Sequence, residues 1–329
     1  MNNIIVRHIG TALLAFLSTW FLVPIMIAMA HRWNILDAPD GRIKVHKTPT
    51  PYLGGVAVYL GFISTLAFFA PLTSSMLSLI LGSTVLLFIG LIDDLIPMRP
   101  WQKFFGQCFV VICFLRYGVQ LKGVFFSTTL NLFISGFWML TVINAFNLVD
   151  IMDGLATTLA LFSSLGFLSV ALLMQNYLLS LFFTALSAAL IGFLLYNRPP
   201  AKIYLGDAGS LFIGGILATA PLFFSWSEST IYGYLTPIFI LAIPLLEVTS
   251  LVIIRSYLGI PFYKGSPHHF ALYLQKKGYT KKTILAFVAA CASVITTIAI
   301  LFMQGHISFG LLILLAFLFL IFWMKCIFF

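Results

Sequence analysis

The sequence predicts an all-α, polytopic membrane protein, and three observations predict this class. Hydrophobic residues make up 61% of the 329 residues and charged residues 8%, which is far outside the usual range for soluble domains. Apolar windows of about 20 residues, the length that spans a bilayer, recur along the whole chain. The 18 Lys and Arg residues lie in the short gaps between these windows, so they predict membrane orientation, and no nucleic-acid partner is expected.

Apolar windows separated by polar or Gly/Pro-containing gaps predict about eleven transmembrane helices. The first window ends in an Ala-Met-Ala tripeptide that imitates a signal-peptide cleavage site, but its apolar run is too long for a typical signal peptide and predicts a retained span. The gaps contain no low-complexity linker or internal repeat, so residues 1–329 are predicted to form a single integral membrane domain. The predicted spans are 9–30, 52–71, 75–92, 102–119, 130–148, 154–174, 177–196, 208–225, 231–255, 283–303 and 307–325.

Charged residues are concentrated on one side of this topology. Fifteen of the 18 Lys and Arg residues lie in the gaps after odd-numbered spans or at the C-terminus. Because cytoplasmic loops carry the excess of Lys and Arg, these gaps are predicted to be cytoplasmic, with the N-terminus outside and the C-terminus inside. All seven aspartates fall on the same side, although ordinary loops would place carboxylates on both. This segregation predicts one cytoplasmic polar site assembled from several helix ends.

The densest polar cluster is the stretch NAFNLVDIMDGL, residues 144–155, at the end of the fifth predicted span. If the helix continues, Asp150 and Asp153 share one face, because positions i and i+3 are neighbours on a helix, and Asn147 joins them. An Asp at the bilayer centre costs about 2.5–3.5 kcal/mol, so a divalent cation or a polar substrate is expected to offset that cost. The alternative is a solvated helix end.

Two further acidic motifs lie at predicted helix ends. Asp93 and Asp94 close the third span, where a carboxylate faces the unfavourable negative end of the helix dipole. Adjacent carboxylates suit metal binding, or a general base whose pKa the neighbouring charge raises. Asp207 opens the eighth span in the motif LGDAGS, where Asp is also a favoured N-cap. The functional alternative is that Asp207 holds Mg²⁺ while backbone N–H groups of the helix N-terminus approach a phosphate.

The first long polar gap, residues 32–51, contains Lys47 within a basic cluster. Such a cluster suits either anionic lipid headgroups or a clamp for phosphates, and the clamp is favoured. Gly54 and Gly55 follow it and are predicted to permit close packing where the next helix begins.

The last long gap, residues 255–282, contains His268 and His269, which are either interfacial residues without a task or part of the site. Glu247, in the ninth predicted span, is the one acid placed deep in an apolar segment. It indicates a broken helix or a buried partner.

Taken in order, five blocks resemble the polyprenyl-phosphate N-acetylhexosamine-1-phosphate transferase family of bacterial envelope synthesis. The blocks are the basic first loop, GLIDD, NAFNLVD with the following DGL, LGDAGS, and a cytoplasmic loop with histidines. The resemblance implies an enzyme of the bacterial inner membrane that transfers a sugar-1-phosphate, expected to be N-acetylglucosamine-1-phosphate, from a UDP-sugar to a polyprenyl phosphate such as undecaprenyl phosphate, releasing UMP. Mg²⁺ is the implied cofactor, with Mn²⁺ as an alternative, and a homodimer is one assembly compatible with it.

The resemblance also implies catalytic roles. Asp93 and Asp94 resemble the family's catalytic pair, and Asp207 resembles its metal-binding aspartate. His268 and His269 occupy the loop in which the family has its functional histidines.

Six more residues resemble the family's substrate-binding positions. Tyr204 resembles an aromatic residue that stacks on uracil. Lys47 and Lys103 resemble basic residues that contact phosphate. The residues that resemble the family's nucleotide-facing positions are Asn147, Asp150 and Asp153.

Two departures from the family pattern concern the site. Ile151 follows Asp150 where the family usually has Gly, which affects the predicted floor of the uracil pocket. The histidine loop has Ser266 and Pro267 before His268, so the first family histidine has no counterpart and either remaining histidine can take its role.

Three other interpretations stay open from the sequence. A relative that uses a UDP-MurNAc-peptide donor ranks lower, because the first loop and the NAFN block match the N-acetylglucosamine branch. A secondary transporter would also have intramembrane acids and interrupted helices, but repeats of the usual kind are absent from this sequence. An inactive scaffold for envelope assembly is suggested only by the missing family histidine.

Overall fold

The computed structural model describes residues 2–37, 49–71, 73–121, 127–226, 231–261, 263 and 266–328. The helices are α1 (Asn2–Trp33), α2 (Gly54–Phe69), α3 (Ser74–Leu95), α4 (Pro100–Arg116), α5 (Thr128–Val149), α6 (Leu155–Leu173), α7 (Tyr177–Asn197), α8 (Gly206–Thr219), α9 (Thr236–Ile240), α10 (Ala242–Tyr257), α11 (Phe270–Lys276), α12 (Lys281–Met303) and α13 (Phe309–Phe328). Two 3-10 helices, Ala220–Phe223 and Gly233–Leu235, and two antiparallel strands, β1 (Leu36–Asp37) and β2 (Thr50–Pro51), complete the elements.

The prediction of an all-α polytopic membrane protein is confirmed, apart from the short β1–β2 pair. The described ranges contain eight helices that are long and apolar enough to cross a membrane, or nine if Gly233–Ile240 and α10, bent by 73° at a break, count as one span. The other two predicted spans coincide with α2, of 16 residues, and α4, of 17 residues. Each predicted window therefore contains a helix, while the count of about eleven spans stays a prediction.

Polar residues mark several helix starts at the edges of the apolar runs. Thr73, Ser127, Asn176 and Thr280 precede α3, α5, α7 and α12, and each side chain accepts a hydrogen bond from the backbone N–H three residues later. These caps satisfy N–H groups that a helix N-terminus leaves unpaired. Within the apolar runs the helix itself pairs the backbone groups, as a bilayer requires.

The centre of the bundle consists of α6, α7 and α8, and α1 and α13 lie at its periphery. α8 packs against α2, α3 and α5, and α7 packs against α1, α2 and α6. Small residues permit the closest approach, since a Cβ added to Gly90 of α3 would lie 2.2 Å from the backbone oxygen of Asp207. The C-terminal end of α3 is therefore held directly beside the N-terminal end of α8.

The prediction that Gly54 and Gly55 permit close packing is confirmed. The backbone N–H groups of Gly54 and Gly55 donate to the carbonyl oxygens of Tyr204 at 3.1 Å and Leu205 at 2.9 Å. A Cβ on Gly55 would lie 2.2 Å from the backbone nitrogen of Gly209. The start of α2 is therefore docked on the segment that leads into α8.

Candidate active site

Four helix ends meet in one polar cluster: the C-terminal ends of α3 and α5 and the N-terminal ends of α4 and α8. The ammonium of Lys103, near the start of α4, lies at its centre. Its Nζ donates to Asp207 Oδ2 at 2.7 Å and to Asn147 Oδ1 at 3.1 Å, and it pairs with Asp93 Oδ2 at 3.0 Å. The Lys103 side chain is 14% exposed. The structure thus brings together four predicted site residues. We call Asp93, Lys103, Asn147 and Asp207 the Lys103 cluster.

Within the Lys103 cluster, Asn147 orients the carboxylate of Asp207. Asn147 Nδ2 donates to Asp207 Oδ1 at 2.5 Å and to Ser210 Oγ at 2.9 Å. The alternative that Asp207 is an N-cap is wrong, because Leu205 is the cap residue of α8 and the Asp207 carboxylate accepts from Lys103 and Asn147. The Asp207 side chain remains 34% exposed, so this carboxylate is accessible to a ligand.

The carboxylate that caps α8 comes from α3. Asp94 Oδ1 accepts from the backbone N–H of Asp207 at 2.8 Å, and Oδ2 accepts from that of Ala208 at 3.0 Å. A negative charge is favourable at this positive end of the α8 dipole. Gly206 makes room for it, because its φ is +74° and an added Cβ would lie 2.7 Å from Asp94 Oδ2. The predicted acidic pair is therefore divided: Asp93 faces the ammonium and Asp94 faces α8.

The prediction that Asp150 and Asp153 share one helix face is wrong. α5 ends at Val149, Asp150 is its C-cap, and a turn follows before α6. Gly154 closes this turn with a φ of +74°, a left-handed conformation that glycine adopts readily. Because the chain turns here, the i, i+3 relationship between the two carboxylates does not hold.

Asp150 and Asp153 have different surroundings. Asp153 Oδ1 pairs with Lys281 Nζ at 3.0 Å, and Asp153 Oδ2 accepts from the backbone N–H of Ala201 at 3.2 Å. The Asp150 carboxyl has no hydrogen-bond or ion-pair partner within the described part of the chain. Burial raises the pKa of Asp150 well above its usual range, and the charges of Asp207 and Asp94 raise it further. Negative charge is thus crowded on this side of the cluster.

The donor set suits Mg²⁺ in chemical type. Mg²⁺ prefers oxygen ligands and keeps several waters, and Asp93, Asn147 and Asp207 direct oxygen atoms at one point. In the ranges that the structure describes, no group of three His, Cys, Asp or Glu side chains has a geometry that holds a metal ion. The ammonium of Lys103 takes the central position instead. Asp207, with its accessible carboxylate, is the residue best placed to bind a metal.

Tyr204 lies in the loop before α8 and is fixed against the first loop. Its backbone N–H donates to Pro51 O at 2.8 Å, and its carbonyl accepts from Gly54 at 3.1 Å. Burial raises the pKa of the half-buried Tyr204 hydroxyl, a hydrogen bond with Thr50 opposes this shift, and the charge of Asp153 adds to it. Backbone contacts therefore fix the position of Tyr204, the charge of Asp153 acts on its hydroxyl, and its role on the nucleotide side stays a prediction.

The structure distinguishes the two predicted histidines. His269 is 5% exposed, and its Nδ1 forms a hydrogen bond of 2.8 Å with Glu247 Oε1 in α10. His268 is half-buried, and its Nδ1 has no hydrogen-bond partner among the described residues. Glu247 thus has both a buried partner and a position just after a break in its span. Lys47, the remaining predicted site residue, lies outside the described ranges.

Sequence reasoning missed three partners of the site. Ser210 Oγ accepts from Asn147 Nδ2, and Lys281 pairs with Asp153. Gln107 Oε1 accepts from Asn144 Nδ2 at 2.8 Å, one turn before Asn147 on α5. Ser210 belongs to the LGDAGS motif, so its spacing could have revealed it. Gln107 lies one turn after Lys103 on α4, but no local pattern indicates its contact with Asn144 of α5. Lys281 lies on α12, and no local pattern indicates its ion pair with Asp153.

Comparison with known proteins identifies relatives along most of the chain. Residues 76–225 match the sequence profile of glycosyl transferase family 4. The chain is 26% identical to a probable undecaprenyl-phosphate N-acetylglucosaminyl 1-phosphate transferase from Bacillus subtilis (strain 168), over 95% of this chain and 91% of that protein. It is 31% identical to a phospho-N-acetylmuramoyl-pentapeptide-transferase from Staphylococcus haemolyticus (strain JCSC1435) and 30% identical to one from Staphylococcus aureus (strain MSSA476), each over 79% of this chain and 89% of the relative. The matched range contains the whole Lys103 cluster.

Proposed function

The chain belongs to glycosyl transferase family 4, and on this premise we propose that it transfers a sugar-1-phosphate from a UDP-sugar to a polyprenyl phosphate, releasing UMP. The proposed donor is UDP-N-acetylglucosamine and the proposed acceptor is undecaprenyl phosphate, in the first membrane step of envelope polysaccharide synthesis. The observation that carries the proposal is the Lys103 cluster, in which one buried ammonium and three oxygen-bearing side chains meet at the helix ends of a largely apolar protein.

The reaction joins two anionic groups, and this determines what the site must do. An oxygen of the lipid phosphate attacks the β-phosphorus of the UDP-sugar, a new P–O bond forms, and the bond to the UMP oxygen breaks. Because the phosphates repel each other, cations held in fixed positions lower the barrier. Lys103 supplies such a cation, since its ammonium can donate to phosphate oxygens in place of the carboxylates it now contacts.

We propose that Asp207 holds Mg²⁺, or alternatively Mn²⁺, with the Asn147 amide beside it. When bound, the metal neutralises diphosphate charge and orients the oxygens of an in-line displacement. Asp93 keeps Lys103 directed at the centre, and its own Oδ1 is fixed by the backbone N–H of Met98 at 2.7 Å. Asp94 holds the start of α8 and so keeps the Asp207 carboxylate facing the reactants.

The remaining predicted residues are proposed to bind the nucleotide and the phosphates. Tyr204 stacks on uracil, and Asp150 and Asp153 form the nucleotide side next to it. Asp153 is kept in place by its ion pair with Lys281. Lys47 is proposed as a second phosphate contact from the first loop.

We propose that the site faces the cytoplasm in the bacterial inner membrane. Two considerations support this: the bias of Lys and Arg toward one side of the topology, and the nature of the substrates. The lipid acceptor diffuses in the bilayer and the UDP-sugar is dissolved in the cytoplasm, so a site at cytoplasmic helix ends can receive both. Light scattering in detergent will test the predicted homodimer.

The choice of sugar lies between two branches of relatives. The match that covers 95% of the chain favours N-acetylglucosamine, whereas the higher identity of 31% belongs to a phospho-N-acetylmuramoyl-pentapeptide-transferase. We favour N-acetylglucosamine because the first loop and the NAFN block also match that branch. UDP-MurNAc-pentapeptide is the second candidate donor.

The test is release of UMP by the purified protein with undecaprenyl phosphate, Mg²⁺ and a panel of UDP-sugars, followed by mass analysis of the lipid product. UMP release with UDP-N-acetylglucosamine is expected. Asp207→Asn should lower turnover by at least about 100-fold while the protein stays folded. Glu228→Gln, which changes an acid on the predicted opposite side, is the matched control and should keep wild-type turnover. No UMP with any donor would overturn the proposal in favour of a transporter or a scaffold.

A further inference from the structure

Glu247 is an acid buried in α10, with 2% of its surface exposed. A buried carboxylate is strongly unfavourable unless partners compensate for the lost water. Its Oε1 forms the 2.8 Å hydrogen bond with His269 Nδ1, and its Oε2 accepts from the backbone N–H of Phe270 at 3.4 Å. One carboxylate therefore holds both the ring and the backbone at the point where α11 begins.

A second buried charge of α10 holds the other end of the same segment. Arg255 is 2% exposed, and its Nε donates to Ser266 Oγ at 2.9 Å. α10 is thus connected to residues 266–270 through two long side chains about two helical turns apart. We call residues 266–270 the histidine segment.

The histidine segment carries His268 between these two attachments. The His268 Nδ1 atom is buried and lacks a hydrogen-bond partner in the part of the chain that the structure describes. The helix that follows, α11, reaches the nucleotide side of the site, because Gln275 Nε2 lies 3.4 Å from Met152 Sδ. Met152 lies in the turn between Asp150 and Asp153. The histidine segment is therefore linked to α10 at its own residues and to the site through α11.

We infer that Glu247 is a positioning residue: through His269 it holds the histidine segment so that His268, and not His269, contacts the phosphates of the reactants. This inference rests on the proposed function, because it gives His268 a substrate to contact. His269 has its Nδ1 committed to Glu247. The inference also assigns a role to Glu247, an acid that does not belong to the Lys103 cluster.

The first experiment tests the attachment without any activity. Glu247→Gln keeps the size of the side chain but leaves one acceptor oxygen for two hydrogen bonds. Hydrogen exchange of the purified protein is expected to become faster in the histidine segment and in α11. Thr249→Ala is the matched control on the same helix, because the Thr249 hydroxyl is exposed and donates only to its own helix, at Leu245 O. Unchanged exchange in Glu247→Gln, or equal acceleration in both variants, would overturn the inference.

The second experiment tests whether Glu247 acts through His268. Glu247→Gln should lower kcat for UMP release by about 10- to 100-fold, the size of loss that follows removal of a second-layer partner that fixes a site histidine. The KM for the UDP-sugar should change less than kcat, because Asp153 keeps its ion pair with Lys281 and Tyr204 keeps its backbone contacts in this variant. His268→Asn should lower kcat by itself, and adding Glu247→Gln to it should cause no further loss, because both changes remove the same contact. Losses that multiply in the double variant would show a separate role and reject the inference.

The two experiments separate the inference from the proposed function. If wild-type protein releases no UMP from any donor, the proposed function fails, and with it the role of His268, whatever the exchange data show. If wild type is active and the cycle is multiplicative, only the positioning role fails. Should Glu247→Gln not fold, Ser266→Ala removes the milder second attachment. It should also accelerate exchange in the histidine segment, and unchanged exchange there would count against the inference.

Discussion

Gly206→Ala is expected to disable the site by displacing Asp94 from the start of α8. Gly206 has a φ of +74°, a left-handed conformation that costs an L-residue about 1–2 kcal/mol. The new Cβ would lie 2.7 Å from Asp94 Oδ2 and 2.8 Å from the backbone oxygen of Tyr52. Because a docked backbone yields less readily than a side chain, the Asp94 carboxylate is the group expected to move.

The size of the effect follows from the contacts of Asp94. A hydrogen bond to a charged group contributes about 1.5–3 kcal/mol, and Asp94 accepts two from the start of α8. Losing one of them in addition to the backbone strain gives a total loss of about 2.5–5 kcal/mol of stability. Since Asp207 donates one of these bonds, its carboxylate should shift with the helix start, and a displacement of about 1 Å lowers turnover by about 100-fold.

Gly118→Ala is the matched control, because Gly118 has a φ of +78° and an added Cβ there meets no described atom within 4 Å. Thermal unfolding in detergent, followed by tryptophan fluorescence, and UMP release per folded protein would be measured for both variants. Gly118→Ala should lose about 1–2 kcal/mol and keep its turnover. Equal losses of stability in the two variants, or wild-type turnover in Gly206→Ala, would refute the role given to Asp94.

Two further predictions concern the charges of the site. Lys103→Met leaves the carboxylates of Asp93 and Asp207 without their ammonium partner. Added Mg²⁺ should therefore raise the Tm of this variant more than that of wild type. An identical Mg²⁺ response would contradict the idea that Mg²⁺ and the ammonium bind the same carboxylates. Because folding raises the pKa of Asp150, the folded state binds this proton more tightly and loses that stabilisation as the pH rises. Asp150→Asn should therefore raise the Tm more at alkaline than at acidic pH, and a pH-independent difference would count against the raised pKa.

The helices could be predicted from hydropathy, because a bilayer leaves the backbone no alternative to helical pairing. Their breaks could not. The window 231–255 looks like one span, yet the chain bends by 73° between α9 and α10. Pro244 has no N–H to donate to the carbonyl of Ile240 four residues earlier, and Ser163 Oγ, from α6, lies 3.4 Å from that oxygen. A proline signals the weak point, but the partner that stabilises the break belongs to another helix.

The site shows the same limit. Residue types, side bias and family resemblance together identified the members of the Lys103 cluster. Local spacing failed at Asp153, because α5 ends at Val149 and the chain turns before Gly154 leads into α6. The different surroundings of His268 and His269 could not be found from sequence, because they depend on which of the two faces Glu247, a residue of a segment distant in the chain.

The unfavourable position of Asp93 and Asp94 at the end of α3 is explained by partners from two different helices. Consecutive residues on a helix point about 100° apart, so the two side chains leave α3 in different directions. Asp94 is stabilised by the positive end of α8, and Asp93 is stabilised by the ammonium of Lys103 on α4. Neither carboxylate can replace the other, because each direction is fixed by α3 itself. Loss of Asp94 alone should therefore misplace Asp207 while the ion pair of Asp93 remains intact, which separates the positioning of α8 from the binding of phosphate.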